Sequence, residues 1–262
     1  MSERSVFLLG AGLGTRLRPL TDSVPKVMVE VAPGMPLLEH TIRGLKAQGF
    51  RHFVVNLHYL PDVIRGHFRD GAPLGVKIEY SDESAGLCDT AGAIRRAADM
   101  LSDSFVLLYG DQLHKFDLRT LAAVHDRLAP AITILVKRSD HPQNGDLARV
   151  SPDGRIAQWI PRPHPFQEFE PGLYLNTGTY IIDKTQVLPR ITQPVLSLDK
   201  SVIPGLAADG VPLAAVVTDA IVLDIGEPQK LEAARQWYEK NREEISRWYG
   251  TPTPPADPRA VP

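Results

Sequence analysis

A glycine-rich loop near the amino terminus carries the residue types best suited to binding phosphate. The apolar run 6–9 predicts a buried strand, and three glycines occur within the five residues that follow it. A backbone without side chains can point its N–H groups at an anion, and Arg16 and Lys26 add two cations nearby. The pattern predicts a site for the phosphates of a nucleoside triphosphate, lined by Leu9, Gly10, Ala11, Gly12, Gly14 and Thr15.

Two common phosphate-binding motifs do not fit this loop. A dinucleotide-binding fingerprint needs a glycine where this chain has Thr15, and it continues directly into a helix that Pro19 and Pro25 prevent. A Walker A loop requires a Gly-Lys pair, and none follows these glycines. Both alternatives are excluded by spacing.

One aspartate follows an apolar run in a position that suits a metal ligand. The run 105–108 predicts a buried strand, and Gly110 and Asp111 come shortly after it. Strands alternate here with helices of about a dozen residues, which predicts a parallel sheet. Right-handed connections place the strand ends along one edge of such a sheet, where ligands bind. A carboxylate at that edge is suited to a magnesium ion, so Asp111 is a candidate ligand.

The glycine loop resembles the signature of the sugar-1-phosphate nucleotidylyltransferases, which reads L-A-[AG]-G-x-G-T-R-L-x-P-L-T followed by P-K-P. Residues 9–21 read LGAGLGTRLRPLT, and residues 25–27 read PKV, with Val27 where the family usually has proline. The match is long and specific. It implies that Arg16 and Lys26 are catalytic residues.

The resemblance also implies a metal site formed by two aspartates. The family has x-G-D at the position of Asp111, and it has D-[IV]-G-T-P at residues 224–228, where this chain carries Glu227 instead of threonine. The resemblance therefore implies that Asp111 and Asp224 together ligate one Mg²⁺ ion. It covers about residues 4–240 of the chain.

The segment 81–93 resembles the family's loop that contacts the base and the ribose. Thr90 is the predicted N-cap of the next helix, and Asp89 stands where the family usually has glycine. Two explanations of Asp89 are equally good: it is an ordinary carboxylate at the start of a helix, or it contacts the ligand. Cys88 is expected to be a small buried hydrophobic residue. Outside the glycine loop, the implied nucleotide contacts are Glu83, Asp89, Thr90, Gly92 and Gly110.

The hairpin-rich stretch from about residue 138 to 226 resembles the family's sugar-phosphate half. Arg162 falls at the lysine of the family's E-K-P, which holds the phosphate of the sugar, and Pro161 replaces the acidic residue before it. Arginine keeps the charge but presents a planar fork, so the exchange changes the geometry of binding. The implied sugar-phosphate contacts are Gly145, Arg162 and Asn176.

These patterns together predict an α/β fold. We expect a three-layer, Rossmann-like mixed sheet flanked by helices, with a hairpin-rich insertion that binds the sugar. A chain of 262 residues, 43% of them apolar, suits one large domain. The predicted domain covers residues 1–250, with a nucleotide half of about 1–137, a sugar-phosphate half of about 138–226 and a C-terminal helix 227–249. Five prolines in the remaining segment predict a disordered tail over 251–262.

The net charge and the cysteine content limit which partners and which cellular compartment are expected for this protein. The formal net charge of −2 argues against nucleic acid or an anionic membrane as the main partner. A single cysteine excludes an intramolecular disulfide and fits a reducing compartment. The sequence shows neither a signal peptide nor an apolar run of about 20 residues. We therefore expect a cytoplasmic protein, for which a homo-oligomer is possible.

The resemblance implies transfer of a nucleotidyl group from a nucleoside triphosphate to a sugar 1-phosphate, with release of pyrophosphate. The first sixty residues favour GTP with a mannose- or heptose-type sugar, because they are most similar to that group. The segment 81–93 favours UTP with N-acetylmuramate or hexose 1-phosphate instead. A cytidylyltransferase for a non-sugar phosphate and a non-catalytic sensor of nucleotide sugars remain as alternatives. A sensor would have lost Lys26 or a metal carboxylate, and this chain retains all of them.

Overall fold

The structure is a computed structural model that describes residues 4–138, 141–168 and 170–250. The proline-rich tail lies outside these residues, so its disorder stays a prediction. The strands, in chain order, are β1 (Val6–Leu9), β2 (Glu30–Ala32), β3 (Met35–Pro36), β4 (His52–Leu57), β5 (Lys77–Asp82), β6 (Ser104–Tyr109), β7 (Gln112–Lys115), β8 (Ile132–Lys137), β9 (Leu147–Val150), β10 (Ile156–Ile160), β11 (Leu173–Asp183), β12 (Leu213–Val217) and β13 (Ile221–Asp224). The α-helices are α1 (Leu37–Ala47), α2 (Pro61–Phe68), α3 (Asp89–Arg96), α4 (Arg119–Leu128), α5 (Lys184–Val187), α6 (Ile203–Ala208), α7 (Pro228–Lys240) and α8 (Arg242–Gly250).

The chain divides into two compact units, each of which combines separate segments. Unit 1 contains the described residues within 1–87, 108–116 and 221–255. Unit 2 contains those within 88–107 and 117–220. Strand β6 contributes residues to both units. The predicted nucleotide and sugar-phosphate halves are, by contrast, each continuous in sequence.

Unit 1 contains three parallel strands whose carboxyl ends are aligned. β1 pairs with β4, and β4 pairs with β5. The register aligns Leu9 with Asn56 and Asn56 with Ser81, so the loops after these strands begin at the same edge. Residues 6–8 are completely buried, as expected for a strand that is covered on both faces. This edge is the one that the sequence predicts for ligand binding.

A two-stranded antiparallel sheet in unit 1 carries one of the predicted metal ligands. β7 pairs with β13, and the register places Asp224 opposite Gln112. The sequence does not predict β7, because four residues of mixed polarity give no clear period. The buried core of this region consists of Leu17, Val29, Val31, Leu37, Leu113, Ile225, Leu231, Ala234, Tyr238 and Ile245.

The C-terminal helical segment consists of two helices, whereas the sequence predicts one over 227–249. A single residue, Asn241, separates α7 from α8. Its side-chain amide donates to the carbonyl oxygen of Trp237 at 2.7 Å, and asparagine competes with the helical backbone in this way. α8 packs on α1, where a Cβ atom at Gly44 would lie 2.0 Å from the ring of Trp248. Glycine at position 44 therefore makes room for that ring.

Unit 2 is built mainly from antiparallel strands. β9 and β10 form the predicted hairpin, and β11 pairs with both β9 and β8. β12 joins β8 in parallel. A bulge interrupts β11 between Asn176 and Thr179, and Gly178 within it has a φ of +71°. Bulges of this kind redirect side chains at functional sites, and glycine adopts this backbone conformation without strain.

The predicted fold class is confirmed. Parallel and antiparallel strand pairs occur together in an α/β chain, and helices connect many of the strands. Among the described residues, no helix combines the length and the apolar character needed to cross a membrane.

Candidate active site

The glycine loop leaves β1 as an irregular segment. Gly14 adopts a φ of +64°, which glycine tolerates, and its carbonyl oxygen accepts a 2.8 Å hydrogen bond from the hydroxyl of Thr21. Ala11 is buried, whereas a Cβ atom at Gly12 would meet no atom within 4 Å. None of the described residues accepts a hydrogen bond from the amides of residues 11–14. These amides can therefore bind an anion.

A chain of buried hydrogen bonds holds the first residue of the loop in place. The amide of Gly10 donates to Asn56 Oδ1 at 2.6 Å, and Asn56 Nδ2 donates to Glu83 Oε1 at 2.8 Å. Glu83 is 1% exposed. Its buried carboxylate holds the side chain of Asn56, which in turn holds the amide of Gly10. A direct contact between Glu83 and a nucleotide stays a prediction.

Lys26 and Asp111 form an ion pair beside the loop. Lys26 Nζ donates to Asp111 Oδ2 at 2.7 Å. The lysine side chain is 9% exposed and the aspartate side chain 39% exposed, so water screens the lysine poorly. The structure thus brings a predicted catalytic cation and a predicted metal ligand together, although 85 positions separate them in sequence.

Both carboxylate oxygens of Asp224 are hydrogen-bonded. Oδ1 accepts the amide of Gly226 at 2.7 Å, and Oδ2 accepts Lys230 Nζ at 2.9 Å. Burial alone would raise the pKa of Asp224, but these two hydrogen bonds and the charge of Lys26 keep that pKa below its ordinary value. The hydrogen bond to Asp224 in turn raises the pKa of Lys230. At neutral pH the two groups are therefore an ion pair.

Arg16 lies next to the exposed Thr15 on a short 3₁₀ turn that follows the glycine loop. Its Nη1 donates to Glu227 Oε1 at 2.8 Å, and 62% of its side chain is exposed. A Cβ atom at Gly226 would lie 2.9 Å from both Arg16 Nη2 and Asp224 Oδ1. A side chain at this position would therefore collide with both groups.

The backbones of Asp111 and Asp224 are neighbours, and their two carboxylates remain the predicted ligands of one divalent metal ion. Asp224 lies opposite Gln112, and the amide of Ile225 donates to the carbonyl oxygen of Asp111 at 3.3 Å. Within the described residues, no set of three or more His, Cys, Asp or Glu side chains could hold a metal ion by itself. Two carboxylates outside a full protein cage suit Mg²⁺, which takes its other ligands from water and substrate phosphates.

Gly110 packs so closely on the glycine loop that Gly110→Ala should destabilise the protein. A Cβ atom there would lie 2.6 Å from the carbonyl oxygen of Leu9 and 3.1 Å from a methyl carbon of Val27. The first neighbour is backbone and cannot rotate away, so we expect a loss of about 1–3 kcal/mol in the free energy of unfolding. Chemical denaturation followed by circular dichroism measures this loss.

The matched control for this prediction is Gly12→Ala, because its Cβ atom would meet only open space. We expect that variant to change the unfolding free energy by about 0.5 kcal/mol or less. Equal stabilities for the two variants would contradict the close approach at Gly110.

Unit 2 places three residues of the predicted base-and-ribose loop at the start of α3. The prediction that Thr90 is the N-cap is wrong, because Cys88 occupies that position and α3 begins at Asp89. Thr90 Oγ1 instead accepts the amide of Leu198 at 2.7 Å. Asp89 is exposed and has a φ of +57°, a conformation that favours glycine, the residue usual in the family. Cys88 is buried, as predicted.

Two glycines that the sequence assigns to ligand contacts also have a packing role. A Cβ atom at Gly92 would lie 2.2 Å from the carbonyl oxygen of Pro194. A Cβ atom at Gly145 would lie 2.7 Å from the side chain of Leu175. Close packing thus accounts for glycine at both positions, and their contacts with a ligand stay predictions.

The three predicted sugar-phosphate residues converge on Asp146. Gly145 precedes it in sequence, and the amide of Arg162 donates to Asp146 Oδ1 at 2.8 Å. The amide of Asn176 donates to the carbonyl oxygen of Asp146 at 2.9 Å. Asp146 is buried and Arg162 is exposed, so the aspartate fixes the backbone while the guanidinium faces solvent.

Hydrogen bonds also orient the side chain of Asn176. Its Oδ1 accepts the amide of Gly178 at 2.9 Å, and its Nδ2 donates to the hydroxyl of Tyr180 at 2.6 Å. That hydroxyl donates to Asp199 Oδ1 at 2.7 Å. Asp199 is buried in the π-helical segment Leu198–Val202, and such segments often occur at functional sites.

The sequence analysis assigned no supporting role to several residues that hold these sites in place, among them Asn56, Asp146, Asp199, Glu227 and Lys230. A polar side chain at the end of a buried strand is a signal that could have identified Asn56. Lys230 lies in the first turn of α7, where the helix dipole disfavours a cation, and this indicates a specific anionic partner. Asp199 carries no comparable local signal.

Comparison with known proteins shows the family. The family model described as Nucleotidyl transferase matches residues 5–241, and the chain therefore belongs to this family. A probable mannose-1-phosphate guanylyltransferase 1 of Oryza sativa subsp. japonica is 33% identical over 232 residues, which are 86% of this chain and 62% of the relative. The mannose-1-phosphate guanylyltransferase of Mycobacterium tuberculosis is 32% identical over 207 residues, 79% of this chain and 56% of the relative. The chain thus spans less than two thirds of the length of these relatives.

Solved structures share the fold. HddC from Yersinia pseudotuberculosis in complex with GMP-PN has a TM-score of 0.74 at 24% identity, covering 90% of this chain and 99% of that one. A putative glucose-1-phosphate thymidylyltransferase from Bacillus anthracis in complex with sucrose has a TM-score of 0.77 at 20% identity, covering 89% and 94%. At these identities the likeness concerns the fold, and it agrees with the predicted fold class.

Proposed function

We propose that this protein transfers a nucleotidyl group from a nucleoside triphosphate to a sugar 1-phosphate and releases pyrophosphate. The observation that carries the proposal is the group formed in unit 1 by the glycine loop, the Lys26–Asp111 pair and Asp224. Backbone amides, a buried ammonium and two carboxylates are the groups that a triphosphate with its metal ion requires. The names of the relatives from Oryza sativa and Mycobacterium tuberculosis support the same activity.

The proposed reaction is an in-line displacement at the α-phosphorus. An oxygen of the sugar 1-phosphate forms the new bond to this phosphorus. The bond from the phosphorus to the bridging oxygen of the β-phosphate breaks, and its electron pair leaves with pyrophosphate. Because two anions must meet, positioning and charge neutralisation account for most of the catalysis. No general base is needed, since the attacking phosphate is ionised near pH 7.

The residues of unit 1 would act on the nucleotide. The amides of residues 11–14 and the guanidinium of Arg16 would hold the triphosphate, and Lys26 would neutralise charge at the α-phosphate. Mg²⁺ held by Asp111 and Asp224 would supply further charge neutralisation between the reacting phosphates. In unit 2, Arg162 would bind the phosphate of the acceptor and Asn176 its sugar.

The substrate pair that we propose is GTP with a mannose- or heptose-type sugar 1-phosphate. Its support is the similarity to relatives named mannose-1-phosphate guanylyltransferases. UTP with N-acetylmuramate or hexose 1-phosphate is the alternative that the segment 81–93 favours, since it combines the S-D-E sequence with Asp89. Asp89 is exposed and can contact a ligand.

A matrix of substrates tests this proposal. Pyrophosphate release is measured for five nucleoside triphosphates against mannose, heptose, glucose and N-acetylmuramate 1-phosphates, with phosphocholine as a non-sugar acceptor. We expect the highest kcat/KM with GTP and a manno-configured sugar 1-phosphate. A higher kcat/KM with any other nucleoside triphosphate would refute the guanylyl assignment. Turnover only with CTP and phosphocholine would show instead a cytidylyltransferase that uses a non-sugar phosphate as its acceptor. Binding of nucleotide sugars by a folded protein without turnover of any pair would establish the sensor function instead.

A further inference from the structure

Three carboxylates beside the glycine loop of unit 1, those of Asp111, Asp224 and Glu227, are each paired with a cation. Lys26 binds Asp111, Arg16 binds Glu227, and Lys230 binds Asp224. Within these three pairs, each negative side chain faces a positive one. The groups that would bind phosphate and the groups that would bind metal neutralise one another.

The two oxygens of the Asp224 carboxylate are bound by different kinds of group: a backbone amide binds Oδ1, and the flexible side chain of Lys230 binds Oδ2. Oδ1 is bound by the amide of Gly226, which the backbone fixes two residues away. Oδ2 is bound by the ammonium of Lys230 at 2.9 Å, and both side chains are partly exposed, at 41% and 38%. A divalent ion that binds Asp224 through Oδ2 competes with this ammonium, because two cations at the same oxygen repel each other.

Glu227 offers the displaced ammonium a second position. Its Oε1 lies 3.7 Å from Lys230 Nζ, so a small rotation of the lysine side chain exchanges one carboxylate for the other. Glu227 also holds Arg16, which limits the positive potential around Asp224.

We propose that Lys230 is a built-in counter-ion that competes with the divalent metal ion for Asp224, and that Glu227 accepts Lys230 when the metal binds. The inference rests on the proposed function for the placement of a metal at Asp224. Lys230 and Glu227 are positioning residues in this scheme. They keep the affinity for the metal alone low, and phosphates that accept Arg16 and Lys230 make the metal and the nucleotide bind cooperatively.

Titration with Mn²⁺ alone tests the proposal without turnover. The signal of free Mn²⁺ in electron paramagnetic resonance gives its Kd for the whole protein and for each variant. Lys230→Met removes the competing charge and keeps the apolar stem, so we expect its Kd for Mn²⁺ to fall about tenfold. Glu227→Gln removes the second position of the ammonium and frees Arg16, so we expect its Kd to rise about threefold. Asp224→Asn should abolish this binding, which assigns the signal to the site.

A control and a double variant separate competition from general electrostatics. Lys77→Met removes an exposed lysine at the amino end of β5 and should leave the Kd for Mn²⁺ unchanged. In the Lys230→Met background, Glu227→Gln should raise the Kd less than it does in the unmodified protein, because no lysine then needs the second position. Additive effects would overturn the role of Glu227.

An unchanged or higher Kd for Mn²⁺ in Lys230→Met would overturn the role of Lys230 as a competitor, because it would mean that the lysine organises the carboxylate for the metal. Failure of the proposed function gives a different result. If no substrate pair turns over but Lys230→Met still tightens Mn²⁺ binding that Asp224→Asn abolishes, the counter-ion is upheld and the transferase activity is not.

Discussion

Replacing Asp111 with asparagine is expected to lower kcat for pyrophosphate release by about 10³-fold or more while the protein stays folded. Asparagine preserves the shape of the side chain but removes the charge that pairs with Lys26 and that would bind the metal ion. Asp111 is itself 39% exposed, but the change leaves the Lys26 ammonium, which is 9% exposed, without this counter-charge, so we expect a lower melting temperature in a protein that still folds. The rate is measured with saturating substrates, and the melting temperature is measured in parallel.

Glu79→Gln is the matched control for this prediction. Glu79 lies on β5, is 34% exposed and pairs with Lys77 at 2.7 Å, so it matches Asp111 in exposure and in having a lysine partner. We expect this control to retain its rate. A similar rate for Asp111→Asn and Glu79→Gln would contradict the role of Asp111, and so would a loss of folded structure that accounts for the whole decrease.

Acid should destabilise the protein well before its carboxylates are protonated, because two histidines are buried in the neutral form. Burial lowers the pKa of His40 to about 4 and that of His114 to about 3. Their pKa is about 6.5 when the chain unfolds, so the unfolded state binds more protons as the pH falls. Stability is therefore complete above about pH 6.5 and is lost as the pH falls towards 4. The loss is about 2.5–3 kcal/mol per histidine at pH 4.5.

The surroundings of the two histidines explain why they remain neutral. His40 Nδ1 lies 2.5 Å from the hydroxyl of Tyr249, and its Nε2 lies 2.8 Å from the carbonyl oxygen of His114. The ring nitrogens of His114 make no hydrogen bond within the part of the chain that the structure describes, and its ring packs on Phe116 at 4.5 Å. A second charge in this cluster would repel the first, which lowers the pKa of His114 further.

Denaturation at pH 7.5 and at pH 4.5 measures this effect, and His114→Phe identifies its source. Phenylalanine keeps a ring of similar shape and cannot bind a proton, so on acidification the variant should lose about 2.5–3 kcal/mol less stability than the unmodified protein. His52→Phe, at a partly exposed histidine of β4, is the control and should leave the acid sensitivity in place. If His114→Phe and the unmodified protein lose the same stability, buried histidine is not the cause.

The features that the sequence determines by itself are those that depend on neighbouring residues. The apolar run of β1, the glycines after it and the start of α2 at Pro61 follow from local period and backbone preference. The hairpin of β9 and β10 follows in the same way from turn residues between two short runs. The motif around Arg16 and Lys26 was specific enough to indicate the family, to which the chain belongs.

The partners of the functional side chains were decided only by the tertiary structure. Arg16 meets Glu227 across 211 positions of sequence, and His40 meets Tyr249 across 209. Such contacts depend on strand register and on helix packing, which set distances that no local pattern contains. The break at Asn241 is another feature that the local pattern did not predict. A new helix, α8, begins after it and places Trp248 against Gly44. Local sequence patterns thus predicted the candidate site residues, and long-range packing determined which charged groups lie beside them.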